Sequence, residues 1–210
     1  MINDKLKYEK EYLKLGYKYI CGIDEVGRGC LFGPVTAAAV IMPLSLNDNE
    51  NINIIEGIED SKKLTPKKRE ELSKKIIEKA ICYSIYSVSE KIIDEINILN
   101  ATKLAMIKAI ENLKIKPDIL FIDALKLDID IKQISIIKGD LKSYSIGCAS
   151  ILAKVSRDEA MNNFPEEYQK YKISKNKGYG TKEHLEAIEK YGPSDKHRFT
   201  FEPIKSYNHK

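Results

Sequence analysis

Three apolar stretches of this chain end in an aspartate, and the first constrains the fold most. Residues 20–34 read Ile-Cys-Gly-Ile-Asp-Glu-Val-Gly-Arg-Gly-Cys-Leu-Phe-Gly-Pro. An apolar run with Tyr19, Ile20 and Ile23 delivers two adjacent carboxylates, Asp24 and Glu25, to a turn. Gly27, Gly29 and Gly33 follow, with Arg28 between the first two. Glycine adopts backbone conformations closed to other residues and lets main-chain N–H groups approach a ligand closely. Carboxylates beside such amides and an arginine suit a divalent cation on one side and a phosphate or sugar on the other. Two later runs end alike: Ile119 to Ile122 stops at Asp123, and Ile134 to Ile137 leads to Gly139-Asp140. Either acid alone reads as an ordinary solvated turn residue. If the three strands are neighbours, however, four carboxylates meet in one patch, and like charges that close need a cation. Oxygen-only donors favour Mg²⁺ or Mn²⁺ over zinc, as a pair of ions suited to phosphodiester hydrolysis. Successive strand residues face opposite sides, so Asp24 and Glu25 are expected to act together only where the strand bends.

The rest of the chain reads as support. A mostly polar helix is expected over residues 4–15, with Leu6, Tyr12, Leu13 and Leu15 to bury, before a strand near 18–24. Pro34 opens a second strand, Val35 to Met42, and a polar connection follows at Asn47 to Asn53. Thr65 and Pro66 form an N-terminal signal for a basic helix over 66–80. Alternation from Ile81 to Tyr86 predicts a third strand. A short helix from Glu90, a longer one over about 99–114 and a buried one from Ser145 to Asn162 complete the core. Small residues Gly147, Ala149, Ser150 and Ala153 would let that last helix lie close to a sheet. The pattern implies an α/β fold, a mixed sheet flanked by helices.

At 210 residues the chain suits one domain with a well-buried core. Four cysteines without CxxC spacing or histidine partners argue for a reducing compartment and against structural zinc. A charged N-terminus without an apolar core gives no signal peptide, and Val35 to Met42 is too short to span a bilayer. A cytoplasmic protein with no membrane partner is expected. The net charge of +4 points only weakly to an acidic partner, so the distribution matters more. Lys62, Lys63, Lys67, Lys68 and Arg69 form one basic cluster, and Lys172, Lys175, Lys177 and Lys182 flank Tyr179 in another. Such groups track phosphates, and an aromatic between glycines can stack on a sugar or base. His184 reads as a helix-face residue and His197 as a structural or phosphate contact.

Assembled, these motifs resemble the ribonuclease HII family, the bacterial type 2 ribonucleases H, from about Tyr19 to Lys205. The resemblance rests on residues 24–35, Asp60-Ser61-Lys62-Lys63-Leu64, Lys138-Gly139-Asp140, residues 149–155 with Arg157-Asp158, and Gly178-Tyr179-Gly180-Thr181. It implies a ribonuclease H-like mixed five-stranded sheet in a single domain over 1–210, with a core of about 17–162 and a helical C-terminal extension of about 163–210. It implies a monomeric endonuclease that cuts RNA paired to DNA, and single ribonucleotides embedded in duplex DNA, leaving 3′-hydroxyl and 5′-phosphate ends. By motif match Asp24, Glu25, Asp123 and Asp140 are the catalytic metal ligands, with Asp24 bridging. Gly27, Arg28 and Gly29 match the loop that recognises the ribose 2′-hydroxyl, Tyr179 the tyrosine that packs on the junction sugar, and Lys62 a phosphate contact. Cys30 and Phe32 stand where proline and alanine are common, and Gly147-Cys148 where two alanines are. Cys30 is expected to make the loop sensitive to oxidation. The related ribonuclease HIII has an extra N-terminal domain, for which about 18 residues before the first strand leave no room.

Two rival readings remain at this level. Gly27-x-Gly29 after a strand imitates a dinucleotide-binding turn, although such a turn must open a helix and here Pro34 and a β-branched run follow. A catalytically silent nucleic-acid-binding module would explain the lysines but not the acids.

Overall fold

The computed structural model describes residues 5–46, 54–58, 61 and 63–209. The polar connection at 47–53, Asp60 and Lys62 lie outside the described residues. Five strands form one sheet: β1 (Ile20–Val26), β2 (Val35–Ile41), β3 (Cys82–Val88), β4 (Ile119–Asp123) and β5 (Lys132–Ile136). Their order across the sheet is β3-β2-β1-β4-β5. The first three form an antiparallel meander, whereas β4 runs parallel to β1 and β5 parallel to β4. This is the mixed five-stranded sheet that the apolar runs implied.

The helices are α1 (Lys7–Lys14), α2 (Pro66–Lys79), α3 (Glu90–Glu111), α4 (Gly139–Lys142), α5 (Tyr144–Asn162), α6 (Glu166–Gln169), α7 (Ile173–Asn176) and α8 (Lys182–Tyr191), before a 3₁₀ turn at Ile204–His209. On one face of the sheet, Ile93, Ala101, Ala105 and Met106 of α3 pack on Cys21, Ile23, Val35 and Ala37. On the other, Leu72 and Ile76 of α2 with Ala149, Leu152 and Ala153 of α5 cover Ala38 and Val40. Cover on both faces explains why β2 reads as an unbroken apolar run. The small residues of α5 do what their size suggests. A Cβ on Gly22 would lie 2.1 Å from the Ser145 backbone, so the start of α5 rests directly on β1.

Local signals account for several boundaries. The Thr65 hydroxyl accepts the Lys68 N–H at 3.3 Å, with Pro66 opening α2. The expected division of α3 is real: Asn97 leaves the helical conformation, and its Oδ1 accepts the N–H groups of Leu99 and Asn100 to restart the helix. The expected strand ending at Gly139-Asp140 is corrected. β5 stops at Ile136, Lys138 takes a left-handed conformation, and Asp140 stands on the helical turn α4.

Met161 at the end of α5, with Tyr171, Ile173, Ile188 and Ile204 beyond it, packs over Leu31 and Phe32 of the loop between β1 and β2. The Phe32 ring makes edge contacts with Phe164, Tyr168 and His197, so the phenylalanine anchors this extension to the loop. Among the described residues, no helix is long and apolar enough to cross a membrane.

Candidate active site

The parallel strands β1, β4 and β5 send their C-terminal ends to one edge of the sheet, where open α/β sheets place ligands. Asp24 and Glu25 lie near the end of β1, Asp123 ends β4, and Asp140 follows β5 on α4. All four line one cleft of about 520 Å³, together with Val26, Ser61, Arg69, Ser150, Lys154 and Tyr179. No bend is needed to bring Asp24 and Glu25 there. β1 makes its last pair with β4 at Ile23, yet continues beside β2 as far as Val26. One side of the strand is therefore open at both carboxylates, and the expected kink is replaced by this divergence.

Each acid is held by a short local network. The Glu25 N–H donates to Asp24 Oδ1 at 2.8 Å, and Arg28 Nη1 donates to Glu25 Oε1 at 3.2 Å. The Ser150 hydroxyl faces Asp24 and is 2.9 Å from Ser61 Oγ. The Gly139 N–H donates to Asp123 Oδ1 at 2.8 Å, which ties α4 to the end of β4. The Leu141 N–H donates to Asp140 Oδ1 at 3.0 Å, and Lys5 Nζ donates to the Asp140 carbonyl at 2.8 Å.

Burial pushes the Asp24 carboxyl well above the usual carboxylate range, and the charges of Glu25 and Asp123 add to it. Glu25 is raised for the same first reason, with Arg28 opposing. The acids thus disfavour one another's charge, as expected of a donor set that fits a divalent cation. Among the described residues, no three Asp, Glu, His or Cys side chains already stand grouped as ligands for one ion. The four share a cleft, not a closed cage.

The family model for ribonuclease HII matches residues 21–203. The chain belongs to the ribonuclease HII family. It is 57% identical over 194 residues to the ribonuclease HII of Caldicellulosiruptor bescii, covering 92% of this chain and 91% of that one. The structure of ribonuclease H2 from Pyrococcus horikoshii superposes with a TM-score of 0.70 at 28% identity, over 90% of this chain and 97% of that one. Bst-RNase HIII, solved in complex with Mn²⁺, shares the fold at a TM-score of 0.66 and 19% identity, over 94% of this chain and 71% of that one. The chain is accordingly a ribonuclease H-type endonuclease, a hydrolase of a class that acts on RNA/DNA substrates. The dinucleotide reading falls on structure as well, because Gly27 to Gly33 leads into β2 and opens no helix.

Gly27 has φ +91°, and a Cβ there would lie 2.3 Å from Arg157 Nε, so the site admits only glycine. Gly29 faces open space. Tyr179, 39% exposed, reaches the cleft from the loop before α8, with Lys154 Nζ 5.9 Å from its ring centroid. Lys62 falls outside the described residues. Arg69 departs from its role as a surface phosphate contact. It is buried, donating to the carbonyls of Ser61 and Leu64 and approaching Asp158 at 3.6 Å. His184 and His197 are fully buried with Nε2 atoms 3.1 Å apart, which excludes a phosphate contact for His197. Cys30 is also fully buried, and burial raises its thiol, so neither solvent access nor thiolate character supports the expected sensitivity to oxidation. Sequence reasoning missed Ser61, Ser150 and Lys154 as cleft residues, although all three sit inside the motifs that carried the resemblance.

Proposed function

We propose that this chain nicks the RNA strand of RNA/DNA hybrids and the phosphodiester at single ribonucleotides embedded in duplex DNA, for ribonucleotide removal, leaving 3′-hydroxyl and 5′-phosphate ends. The observation that carries the reading is the gathering of four carboxylates from separate parts of the chain around one cleft, where burial and the neighbouring acids raise Asp24 and Glu25. Asp24, Glu25, Asp123 and Asp140 would hold Mg²⁺ or Mn²⁺, in a pair with Asp24 shared. Bound there, the cations would supply Lewis acidity and charge neutralisation for hydrolysis of a phosphodiester. The Mn²⁺ complex of Bst-RNase HIII, a protein of the same fold, supports that choice.

The protein's own groups act around that centre. Tyr179 offers a half-exposed ring to the sugar at the junction between RNA and DNA, with the Lys154 ammonium nearby for a phosphate. Gly27, Arg28 and Gly29 present main-chain donors to the 2′-hydroxyl, the group that separates RNA from DNA at one position. Lys62 contributes a phosphate contact. The test is a DNA duplex carrying one ribonucleotide, incubated with and without Mg²⁺ beside an all-DNA control. A nick confined to the ribonucleotide and to the metal-containing reaction is expected. Binding without any metal-dependent nick would make the protein a silent binding module instead.

A further inference from the structure

Two guanidinium groups with no solvent exposure lie behind the loop between β1 and β2. Arg198 donates through Nε to the Gly33 carbonyl at 3.0 Å, through Nη1 to Arg28 at 2.8 Å and through Nη2 to Gly27 at 2.7 Å. Arg157 donates to the carbonyls of Pro34 at 3.0 Å, Lys177 at 2.8 Å and Phe32 at 3.2 Å. All six acceptors are backbone carbonyls, five of them in residues 27–34. Among the described residues, neither arginine forms an ion pair with a carboxylate. Burying a cation without a counter-charge is costly. Burial lowers Arg198 to about 10, which still leaves it protonated at neutral pH. The Phe201 ring lies 5.1 Å from the guanidinium carbon and helps to fix its plane.

The two arginines hold different parts of the loop. A trans peptide unit is planar, with its C=O and the following N–H on opposite sides. Drawing the Gly27 and Arg28 carbonyls inward to Arg198 therefore turns the N–H groups of Arg28 and Gly29 outward. Among the described residues, neither N–H donates to a protein acceptor, and the position a Cβ would take on Gly29 has no atom within 4 Å. Two adjacent amides are thus left without a protein acceptor three and four residues after Glu25, which lines the cleft and accepts from the Arg28 side chain. Arg157 holds neither of these peptide units; its carbonyls belong to Phe32, Pro34 and Lys177.

We infer that Arg198 is a positioning residue for ribonucleotide recognition: it fixes the Gly27 and Arg28 peptides so that the Arg28 and Gly29 amides point at a ribose 2′-oxygen. The inference rests on the function proposed above and adds the device that aims the donors. Glycines leave these peptides free to rotate; within the loop the Cys30 N–H donates to the Gly27 carbonyl at 3.3 Å, and Arg198 adds the hold from outside that also reaches the Arg28 carbonyl. A planar guanidinium can hold three carbonyls at once, and a lysine ammonium, a point charge on a flexible stem, lacks that fork.

The test is the ratio of dissociation constants for an all-DNA duplex and the same duplex carrying one ribonucleotide, with divalent metal chelated so that no strand is cut. Arg198→Lys should lower the ratio by about tenfold, the scale of one to two hydrogen bonds, and leave affinity for the all-DNA duplex within about twofold. Arg157→Lys loosens the same loop and its packing against Gly27 but removes no hydrogen bond to the two aimed peptides, and should lower thermal stability while keeping the ratio. Should Arg198→Lys not fold, Arg198→Gln, with two donors, is judged by the same ratio. An unchanged ratio in the Arg198 variant, or an equal loss in Arg157→Lys, overturns the inference alone. A wild-type ratio near one overturns it together with the proposed function.

Discussion

Asp24 sits deeper than the other three cleft acids, 6% exposed and faced by the Ser150 hydroxyl. Asp24→Asn keeps the shape but removes the charge from the residue proposed to be shared by both ions. Cleavage should fall by a factor of at least about 100, as for loss of a central electrostatic group, while duplex binding stays within a few-fold. A nicking assay beside a gel shift checks both halves, and near-normal turnover would remove Asp24 from the mechanism. Tyr179→Ala deletes the exposed ring, and stacking on an aromatic is worth about 1–3 kcal/mol. Cutting at a single ribonucleotide should drop by about tenfold or more, and an unchanged rate would place junction sensing elsewhere. The four acids were legible in the sequence because an aspartate closing an apolar run, ordinary at any one occurrence, recurs at three. Ser150, Ser61 and Lys154 were not, since a polar side chain aimed into a cleft has the same spelling as one facing water. Arg157 and Arg198 hid for another reason: their partners are backbone carbonyls, which leave no trace in residue identity.

Secondary structure was read most faithfully where the signal was local, as at Thr65-Pro66 and in the division of α3, and least where the deciding partner is distant. α1 shows the second case. Its apolar residues were expected to be its buried ones, yet Leu15 is 67% exposed and Glu9 has no exposure. Glu9 Oε1 accepts the Ser143 hydroxyl at 2.6 Å and the Ser145 N–H at 2.9 Å, over 130 residues away, at the N-terminus of α5. A carboxylate there meets the positive end of the helix dipole and two orphan donors. Lys5 on the same segment holds the Asp140 carbonyl, so the N-terminal helix braces the turn that carries one of the cleft acids. Glu9→Ala should leave a buried N–H and hydroxyl unsatisfied, at a cost of about 1–3 kcal/mol. For a chain of this size each kcal/mol lowers the melting temperature by about 2–4 °C. A scan showing no shift would mean that the pair contributes nothing. Asp140 itself was expected directly at a strand end, because nothing in Ile136-Ile137-Lys138 announces a left-handed lysine and the helical turn after it.

At the scale of the whole molecule, a hydrogen-bonded pair of histidines ties α8 and the segment after it, within the C-terminal extension, to the loop carrying Tyr179. The Tyr179 carbonyl can only accept, so His184 Nδ1 donates to it at 2.9 Å, and His184 Nε2 must then accept from His197 Nε2 at 3.1 Å. His197 Nδ1 is left to accept the N–H and hydroxyl of Ser194, each at 2.9 Å. Every bond in this chain requires both rings to be neutral, and a proton on either breaks one. Phe32 and Tyr171 pack edge-on against His197, and burial with the neighbouring His184 lowers it from 6.5 to about 4 despite the opposing charge of Asp195. Above pH 6.5 neither the folded nor the unfolded chain protonates this ring, and it adds no pH dependence. Below 6.5 the unfolded chain takes up a proton that the folded one refuses until about pH 4. Stability is therefore lost as pH falls through that window, by about 3 kcal/mol at the acid end. Glu9, Asp24 and Glu25, whose carboxyls are raised, act in the opposite sense and gain protons on folding. The histidine contribution is isolated by comparing urea midpoints of the wild type and His197→Gln at pH 7, 5.5 and 4.5. The variant should start lower at pH 7, because the relay is broken, and then fall less steeply. Parallel curves would mean that His197 takes up its proton as readily in the folded chain as in the unfolded one, which the neutral relay forbids.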